Sequence, residues 1–399
     1  MTRDVAVVAF AQSHHMRREQ RRNEVELLMP VLHQVKADVG LDQAQIDFTC
    51  SGSSDYLAGA AFSFVSTLDG VGAFPPISES HVEMDGAWAL YEAWVKIQTG
   101  AADTALVYSY GKASPGSLRD VLSRQLDPYY VAPLWPDSVA LAALQARACI
   151  EAGVTSVAEM AEIAARSRRA AAGNPFAQLQ GSDDPDVLLK EPEIASPLRR
   201  HDCPPITDGA AALILAAGDR ARELVDRPAW IRGIDHRIEA HGLGVRDLTA
   251  SISTRLAGER AGVVGAAPVD VAELHAPFTH QEALLRNALG LGNGDGDRVA
   301  INPSGGALAA NPIMAAGLIR IGEAAGRIQR GEAGRAVAHA TSGPCLQQNL
   351  VCVLEGPERA SAMQPAPGPS GPSPKATRAG NTASQPERPG AEAAKSGKD

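Results

Sequence analysis

At 399 residues, 45% of them hydrophobic, the chain is long enough to bury a sizeable core, and its net charge of −9 offers no basic footprint for nucleic acid. No stretch approaches the roughly 18 apolar residues that span a bilayer. Five cysteines, an odd number with no CxxC pair, argue against a disulfide framework or a zinc site and toward a reducing cytoplasm.

In chain order, the apolar run over 5–10 reads as a first strand. It is too short for the core of a signal peptide, and no small-residue cleavage site follows it. Further strands are expected over 46–50, 104–108, 211–216, 230–234, 269–274, 299–301, 335–340 and 349–355. Helical patterns cover 24–39, 87–98, 139–152, 157–172, 281–289 and 311–330. Strands alternating with helices favour layered α/β architecture. From 358 onward Pro, Gly, Ser, Ala and charged residues dominate, a composition that cannot offset its chain entropy, so 358–399 reads as a disordered tail.

One internal repeat sharpens this plan. Lys96-Ile97-Gln98-Thr99-Gly100-Ala101-Ala102-Asp103-Thr104-Ala105 aligns with Arg327-Ile328-Gln329-Arg330-Gly331-Glu332-Ala333-Gly334-Arg335-Ala336. Each copy ends a long helix, turns at a glycine and enters a strand, and each helix follows a glycine-containing turn, Asp85-Gly86-Ala87 or Ser304-Gly305-Gly306-Ala307. A duplicated α/β domain accounts for both, with chance matching in an Ala/Gly-rich chain as the bland alternative.

Four segments carry a family resemblance over 1–357. They are Asp85-Gly86-Ala87-Trp88-Ala89-Leu90, Asp208-Gly209-Ala210-Ala211-Ala212, Glu273-Leu274-His275-Ala276-Pro277-Phe278-Thr279 and Asn302-Pro303-Ser304-Gly305-Gly306-Ala307. In this order they resemble the thiolase superfamily, in particular the sterol-carrier-type thiolases and non-specific lipid-transfer proteins. The resemblance implies a duplicated thiolase-like α/β fold, layered α-β-α-β-α. Its halves would cover 1–230 and 231–357, with an inserted loop region over about 112–200. It also implies a homodimer, an acyl-CoA or lipid thioester as substrate and no separate cofactor or metal. A small partner with an OB-fold and zinc ribbon is a further implied possibility.

Position by position, the resemblance exposes departures. The acyl-accepting cysteine position falls on Glu83, the activating histidine position on Asn311, and no cysteine stands at Ser342-Gly343. His275 is retained at the position that stabilises the thioester oxygen. The implied catalytic set is therefore His275, Glu83, Asn311 and His81, with Ser304, Gly305, Gly306, Gly343 and Phe278 lining the substrate. Glu83 reads either as an acid–base group or as a carboxylate favoured by the helix dipole. Asp85 reads as a helix cap, His280 as a capping or surface residue, and Cys203 as a free thiol. The implied chemistry is carbon–carbon bond cleavage or formation beside a thioester without a cysteine acyl-enzyme, such as retro-aldol cleavage of a bulky lipid or steroid acyl-CoA. A non-catalytic acyl-CoA carrier or scaffold is the alternative.

Overall fold

A computed structural model of the chain describes residues 3–263, 268–292 and 299–357. The tail expected over 358–399 lies outside the described residues. Ten strands pair into a single sheet made of two copies of one five-strand pattern. The first copy holds β1 (Val5–Gln12), β2 (Phe48–Gly52), β3 (Glu79–Val82), β4 (Thr104–Lys112) and β5 (Asp208–Ala217). The second holds β6 (Ala229–Ile238), β7 (Val271–Leu274), β8 (Ala300–Ile301), β9 (Arg335–Ser342) and β10 (Gln348–Glu355). Their spatial orders, β3-β2-β4-β5-β1 and β8-β7-β9-β10-β6, are the same path. In each, the second strand is parallel to its two neighbours and the remaining pairs are antiparallel. The copies join through β1 and β6 at two residue pairs, Ala6 with Trp230 and Val7 with Ala229.

Alternation along the strands sets the layers. Val5, Val7, Val107, Leu213 and Leu215 face a core shared with α2 (Gly86–Gln98) and α7 (Ala316–Gln329), whose other wall is Ala336, Ala338, Leu350, Cys352 and Leu354. Ala6, Val8, Leu106 and Ile214 face outward under α1 (Glu24–Ala37). Val337, Val351 and Val353 face outward under α5 (Ile252–Ala261) and α6 (Thr279–Leu289). The thiolase-like α-β-α-β-α layering follows. Each fully buried Leu or Ile contributes about 1.5–3 kcal/mol, so the shared core binds the copies far more strongly than the two-pair strand junction does.

The sequence repeat has a physical counterpart at the helix ends. Gly100 and Gly331 close α2 and α7 with φ of 77° and 76°, a conformation that favours glycine. Asp47 Oδ2 accepts the Asp103 and Thr104 N–H groups at the start of β4. Asp270 Oδ2 does the same for Gly334 and Arg335 at the start of β9.

Two expectations shift. The helix expected over 311–330 begins only at Ala316, because Pro312 supplies no N–H, disfavours helical backbone at Asn311, and is followed by Met314 at φ 81°. The strand Glu79–Val82 carries no apolar alternation and forms through parallel pairing with β2. Between β4 and β5 the chain inserts α3 (Ser138–Glu151), α4 (Val157–Ala171) and a small ribbon of Glu193–Ala195 with Leu198–Arg199. Arg166 of α4 pairs with the buried Glu282 of α6 and so fastens this insert to the second copy.

Candidate active site

The second copy builds its part of the site where β7 ends. His275 and Asn311 are both buried, and His275 Nε2 lies 3.0 Å from Asn311 Oδ1. The Thr341 backbone N–H donates to His275 Nδ1 at 3.3 Å. Because that nitrogen accepts, the neutral ring carries its proton on Nε2 and donates it to the Asn311 carbonyl oxygen. Burial lowers the His275 pKa to about 3, aided by the neighbouring His339, so the ring is neutral at ordinary pH. With its carbonyl oxygen taken by His275, Asn311 keeps its amide N–H groups as the donors of the pair. Asn311 is held in turn by its own N–H on Thr207 Oγ1 at 3.1 Å. His275, expected at the position that stabilises the thioester oxygen, has both ring nitrogens engaged within the protein.

The first copy builds its part after β3. Glu83 is half exposed, and its Oε1 accepts the Asp55 N–H at 2.7 Å. Its Oε2 stands 3.5 Å from His81 Nε2. His81 Nδ1 lies 2.9 Å from Ser51 Oγ, and the ring stacks on Phe64 with centroids 4.2 Å apart. His81 and Glu83 are thus brought together, as are His275 and Asn311. No hydrogen bond or ion pair among the described residues joins one pair to the other.

What connects them is Asp85. Its Oδ1 accepts from Ala87 N, capping α2, and from Leu318 N at 3.0 Å; its Oδ2 accepts from Gly317 N at 2.8 Å. One carboxylate therefore caps both duplicated helices. Gly86 N also donates to Met314 O at 2.8 Å, and a side chain at Gly86 would collide with Ser109 and Leu318. These contacts hold the Glu83 turn against the segment that carries Asn311. Burial pushes the Asp85 pKa up to about 7, against the pull of its three backbone donors.

The residues expected to line the substrate are engaged within the protein as follows. The Gly305 N–H is bonded to Asn302 O and the Gly306 N–H to Ser304 Oγ, so neither is bare for a ligand. A Cβ at Gly305 would meet Ala309 and Ala171 of α4, which makes this glycine a point of close packing. Ser304 Oγ is engaged by Glu273 and Arg320, a buried ion pair at 2.7 Å. Phe278 packs with Met160 and Leu198, and Gly343, at φ 74°, turns the chain after β9. His280, read from sequence as capping or exposed, is fully buried, bonded to Gln145 Oε1 at 3.1 Å, with its pKa lowered to about 3 by burial.

Burial also raises the pKa of all five thiols, to about 12 for Cys50, Cys149 and Cys203 and about 11 for Cys345. A nucleophilic cysteine needs the opposite shift. Among the described residues, no cluster of three metal-ligating side chains occurs and no helix is long and apolar enough to cross a membrane. Cavities occur among the described residues, two of them sizeable. One of about 910 Å³ opens between β1, α1 and α7 and includes none of the four candidate catalytic residues. The other, about 580 Å³, runs between 55–61 and 117–124 and is lined by Asp55, whose backbone holds Glu83.

Sequence reasoning missed Ser51, Tyr108 and Thr341, which are brought in by strand register, and Thr67, which lies on the helix Val65–Val71.

No family model matches the chain. It is 26% identical over 349 residues to an acetyl-CoA acetyltransferase of Methanocaldococcus jannaschii, covering 80% of this chain and 88% of that protein. It is 27% identical over 317 residues to sterol carrier protein 2 of Rattus norvegicus, covering 70% of this chain and 57% of that one. It is 26% identical over 226 residues to 17-hydroxy-3-oxo-4-pregnene-20-carboxyl-CoA lyase of Mycobacterium tuberculosis, covering 53% and 57%. The chain thus spans little more than half the length of the last two. Among solved structures, an Ltp2-ChsH2(DUF35) aldolase superposes with a TM-score of 0.75 at 20% identity, covering 90% of this chain and 99% of that one. Human mitochondrial 3-ketoacyl-CoA thiolase superposes with a TM-score of 0.69 at 15% identity, covering 89% and 99%. The named relatives support a place in the thiolase superfamily, and the two superpositions show that the fold of this chain is thiolase-like.

Proposed function

We propose that the protein is an enzyme acting on an acyl-CoA, cleaving or forming a carbon–carbon bond beside the thioester without a cysteine acyl-enzyme. The observation that carries this reading is the neutral His275, locked at both nitrogens, which presents the Asn311 amide as a preorganised donor. Such a donor stabilises an oxygen that becomes negative in the transition state, in a place where burial strengthens each hydrogen bond. The raised thiol pKa values support a route that bypasses cysteine.

In the retro-aldol direction, a base at His81 or Glu83 takes the proton from the β-hydroxyl of a β-hydroxyacyl-CoA. The Cα–Cβ bond breaks, its electron pair moves to Cα, and a ketone or aldehyde departs. The thioester enolate left behind is held through its oxygen by Asn311, and the proton is returned to Cα. No oxidant or reductant is required. A bulky lipid or steroid acyl group is the substrate class, supported by the names of the relatives. The name of the Ltp2-ChsH2(DUF35) aldolase joins a second component to the enzyme and supports testing a small OB-fold/zinc-ribbon partner. A homodimer and a cytoplasmic location belong to the same proposal.

The competing reading is a non-catalytic acyl-CoA carrier or scaffold, which the raised thiol pKa values support equally. Incubation with β-hydroxy- and β-ketoacyl-CoAs, with and without the candidate partner, decides between them. Turnover that is lost in Asn311→Ala favours the enzyme. Tight binding with no turnover under any condition favours the carrier and ends the catalytic reading.

A further inference from the structure

Asn311 belongs to the second copy, yet the segment that carries it rests on the sheet of the first. Gly111 on β4 and Gly209 on β5 are directly paired across the two strands, so side chains there would point to the same face. Neither has one, and the notch this leaves is filled by Pro312 and Ile313. A Cβ at Gly111 would stand 2.3 Å from Ile313 O and 2.7 Å from Pro312 C. One at Gly209 would meet Pro312 Cβ at 3.3 Å and His15 Cδ2 at 2.9 Å. What fills the notch at Gly111 is backbone, so no flexible side chain can yield there. Beside the notch, Thr207 Oγ1 accepts the Asn311 N–H at 3.1 Å.

Ser109, two residues before Gly111 on the same face of β4, is fully buried and supplies a further contact. Its hydroxyl stands between two carbonyl oxygens, Gly52 O at 2.6 Å and Met314 O. A carbonyl only accepts, so the one Ser109 proton is shared by both. The two carbonyls belong to different parts of the site. Gly52 backs the Glu83 turn, since a Cβ there would lie 2.7 Å from Gly86 and 2.8 Å from Met84 O. Met314 follows Asn311 closely and has φ of 81°, a conformation that residues with side chains keep only when their surroundings enforce it. The Gly86 N–H, at 2.8 Å, is a second donor to Met314 O. We propose that Ser109, Gly111 and Gly209 form a seat that fixes Asn311 relative to Glu83, so that the first copy positions the hydrogen-bond donor of the second.

The two parts of the seat act in different directions. The glycine notch sets how closely the Pro312–Ile313 backbone approaches the sheet. The shared Ser109 proton ties the end of that segment to the strand that backs the Glu83 turn, and so sets the spacing between the two halves of the site. Two donors on one carbonyl hold the peptide after Met314 in place against the strain at its φ. A Cβ contact below 3.0 Å is not tolerated, so Gly111→Ala must lift the Ile313 carbonyl by more than about half an ångström. Ser109, Gly111 and Gly209 are positioning residues, and none would touch substrate. Their effect on turnover rests on the acyl-CoA reading above, whereas the seat itself does not.

Two readouts test this, one of them independent of turnover. Hydrogen exchange of the full chain, followed by NMR, reads the Gly86 amide, bonded to Met314 O, and the Asn311 amide, bonded to Thr207. In Ser109→Ala both are expected to exchange about fivefold faster, the worth of one lost hydrogen bond. Steady-state kinetics on an acyl-CoA that the wild-type protein turns over reads the positioning. In Ser109→Ala kcat is expected to fall about fivefold. In Gly111→Ala it should fall about 10²-fold, the cost of a displacement near 1 Å. KM stays unchanged in both, and Ser109→Ala carries the test if Gly111→Ala does not fold. Met314→Gly, which adopts the same φ without strain, restores kcat in the Ser109→Ala background, whereas Met314→Ala does not. Exchange at the wild-type rate in folded Ser109→Ala overturns the seat. Faster exchange with unchanged kcat, or a loss carried by KM, overturns the positioning of Asn311. A Met314→Gly that restores no more than Met314→Ala overturns the role given to the Met314 carbonyl. Absence of turnover on every acyl-CoA ends the acyl-CoA reading and leaves the exchange rates to decide the seat, so the two failures are told apart.

Discussion

The two copies of the fold use the same topological address for opposite ends. In each, the end of the second strand lies beside the segment that leads from the third strand into the central helix. The first copy crosses that segment in three residues, from Val82 to Gly86, and leaves Glu83 half exposed beside His81. The second takes a longer path from Ile301 to Ala316, through the short helix Gly306–Ala309 and Pro312, and buries Asn311 against His275. A short crossing keeps a charge in contact with water, where it can exchange protons. A long crossing surrounds a neutral amide, where it can only donate hydrogen bonds. Duplication supplied two equivalent positions, and crossing length made one a half-exposed carboxyl group and the other a buried amide.

Several measurements would break or sharpen this contrast. Glu83→Gln removes the exchangeable carboxylate and is expected to lower kcat by about 10²–10⁴-fold with little change in acyl-CoA binding. Asn311→Ala removes the buried donor and is expected to cost about 10²–10³-fold. Steady-state kinetics on both, with binding measured calorimetrically, checks the division; equal losses in affinity would break it. Asp85→Asn turns an N–H₂ group toward one of three helix N–H donors and should cost about 1–3 kcal/mol in chemical denaturation.

The pH dependence of stability has a definite sign. His15, His275 and His280 have folded pKa values lowered from 6.5 to about 3, and His339 to about 4. Between these values and 6.5 the unfolded chain binds more protons, so the histidines' contribution is full above pH 6.5 and is lost as pH falls toward 3. Asp85, raised from 3.8 to about 7, acts oppositely and loses its contribution as pH rises through 7. Glu79, Asp202 and Glu273 are raised as well, but Glu19, Asp55, Asp247 and Glu332 are lowered, so eight groups against four predict a Tm that falls from pH 7 to pH 4, measurable by calorimetry. The smallest effect is expected from thiol alkylation of the native protein, which should leave turnover unchanged, since every thiol pKa is raised.

The fold was legible because its signals are local and repeated. Ile97 and Ile328 mark the same buried helix position, and Gly100 and Gly331 the same left-handed turn. The pairing of His275 with Asn311 was half legible: both positions were expected to work together, but not that the Thr341 N–H would occupy the second ring nitrogen of the histidine. That detail depends on β9 lying in register beside β7, which no local pattern encodes. The reading of Ser304, Gly305 and Gly306 as a ligand cradle did not anticipate Glu273 and Arg320, buried partners that draw the serine inward. His280 misled because a polar residue at a helix start is usually exposed, whereas α6 is buried nearly all around.

The carboxylate shared by α2 and α7 also orders events in time. Its donors on α7 lie 232 and 233 positions further along the chain, so that helix end is completed only when distant parts of the polypeptide have met. Contacts of such separation form late, after local helices and hairpins. The segment carrying Asn311 leads directly into α7 and would gain its shape at that stage. A partly folded chain would therefore hold its strands and helices yet have no competent site, and the appearance of ligand binding during refolding should trail the appearance of secondary structure.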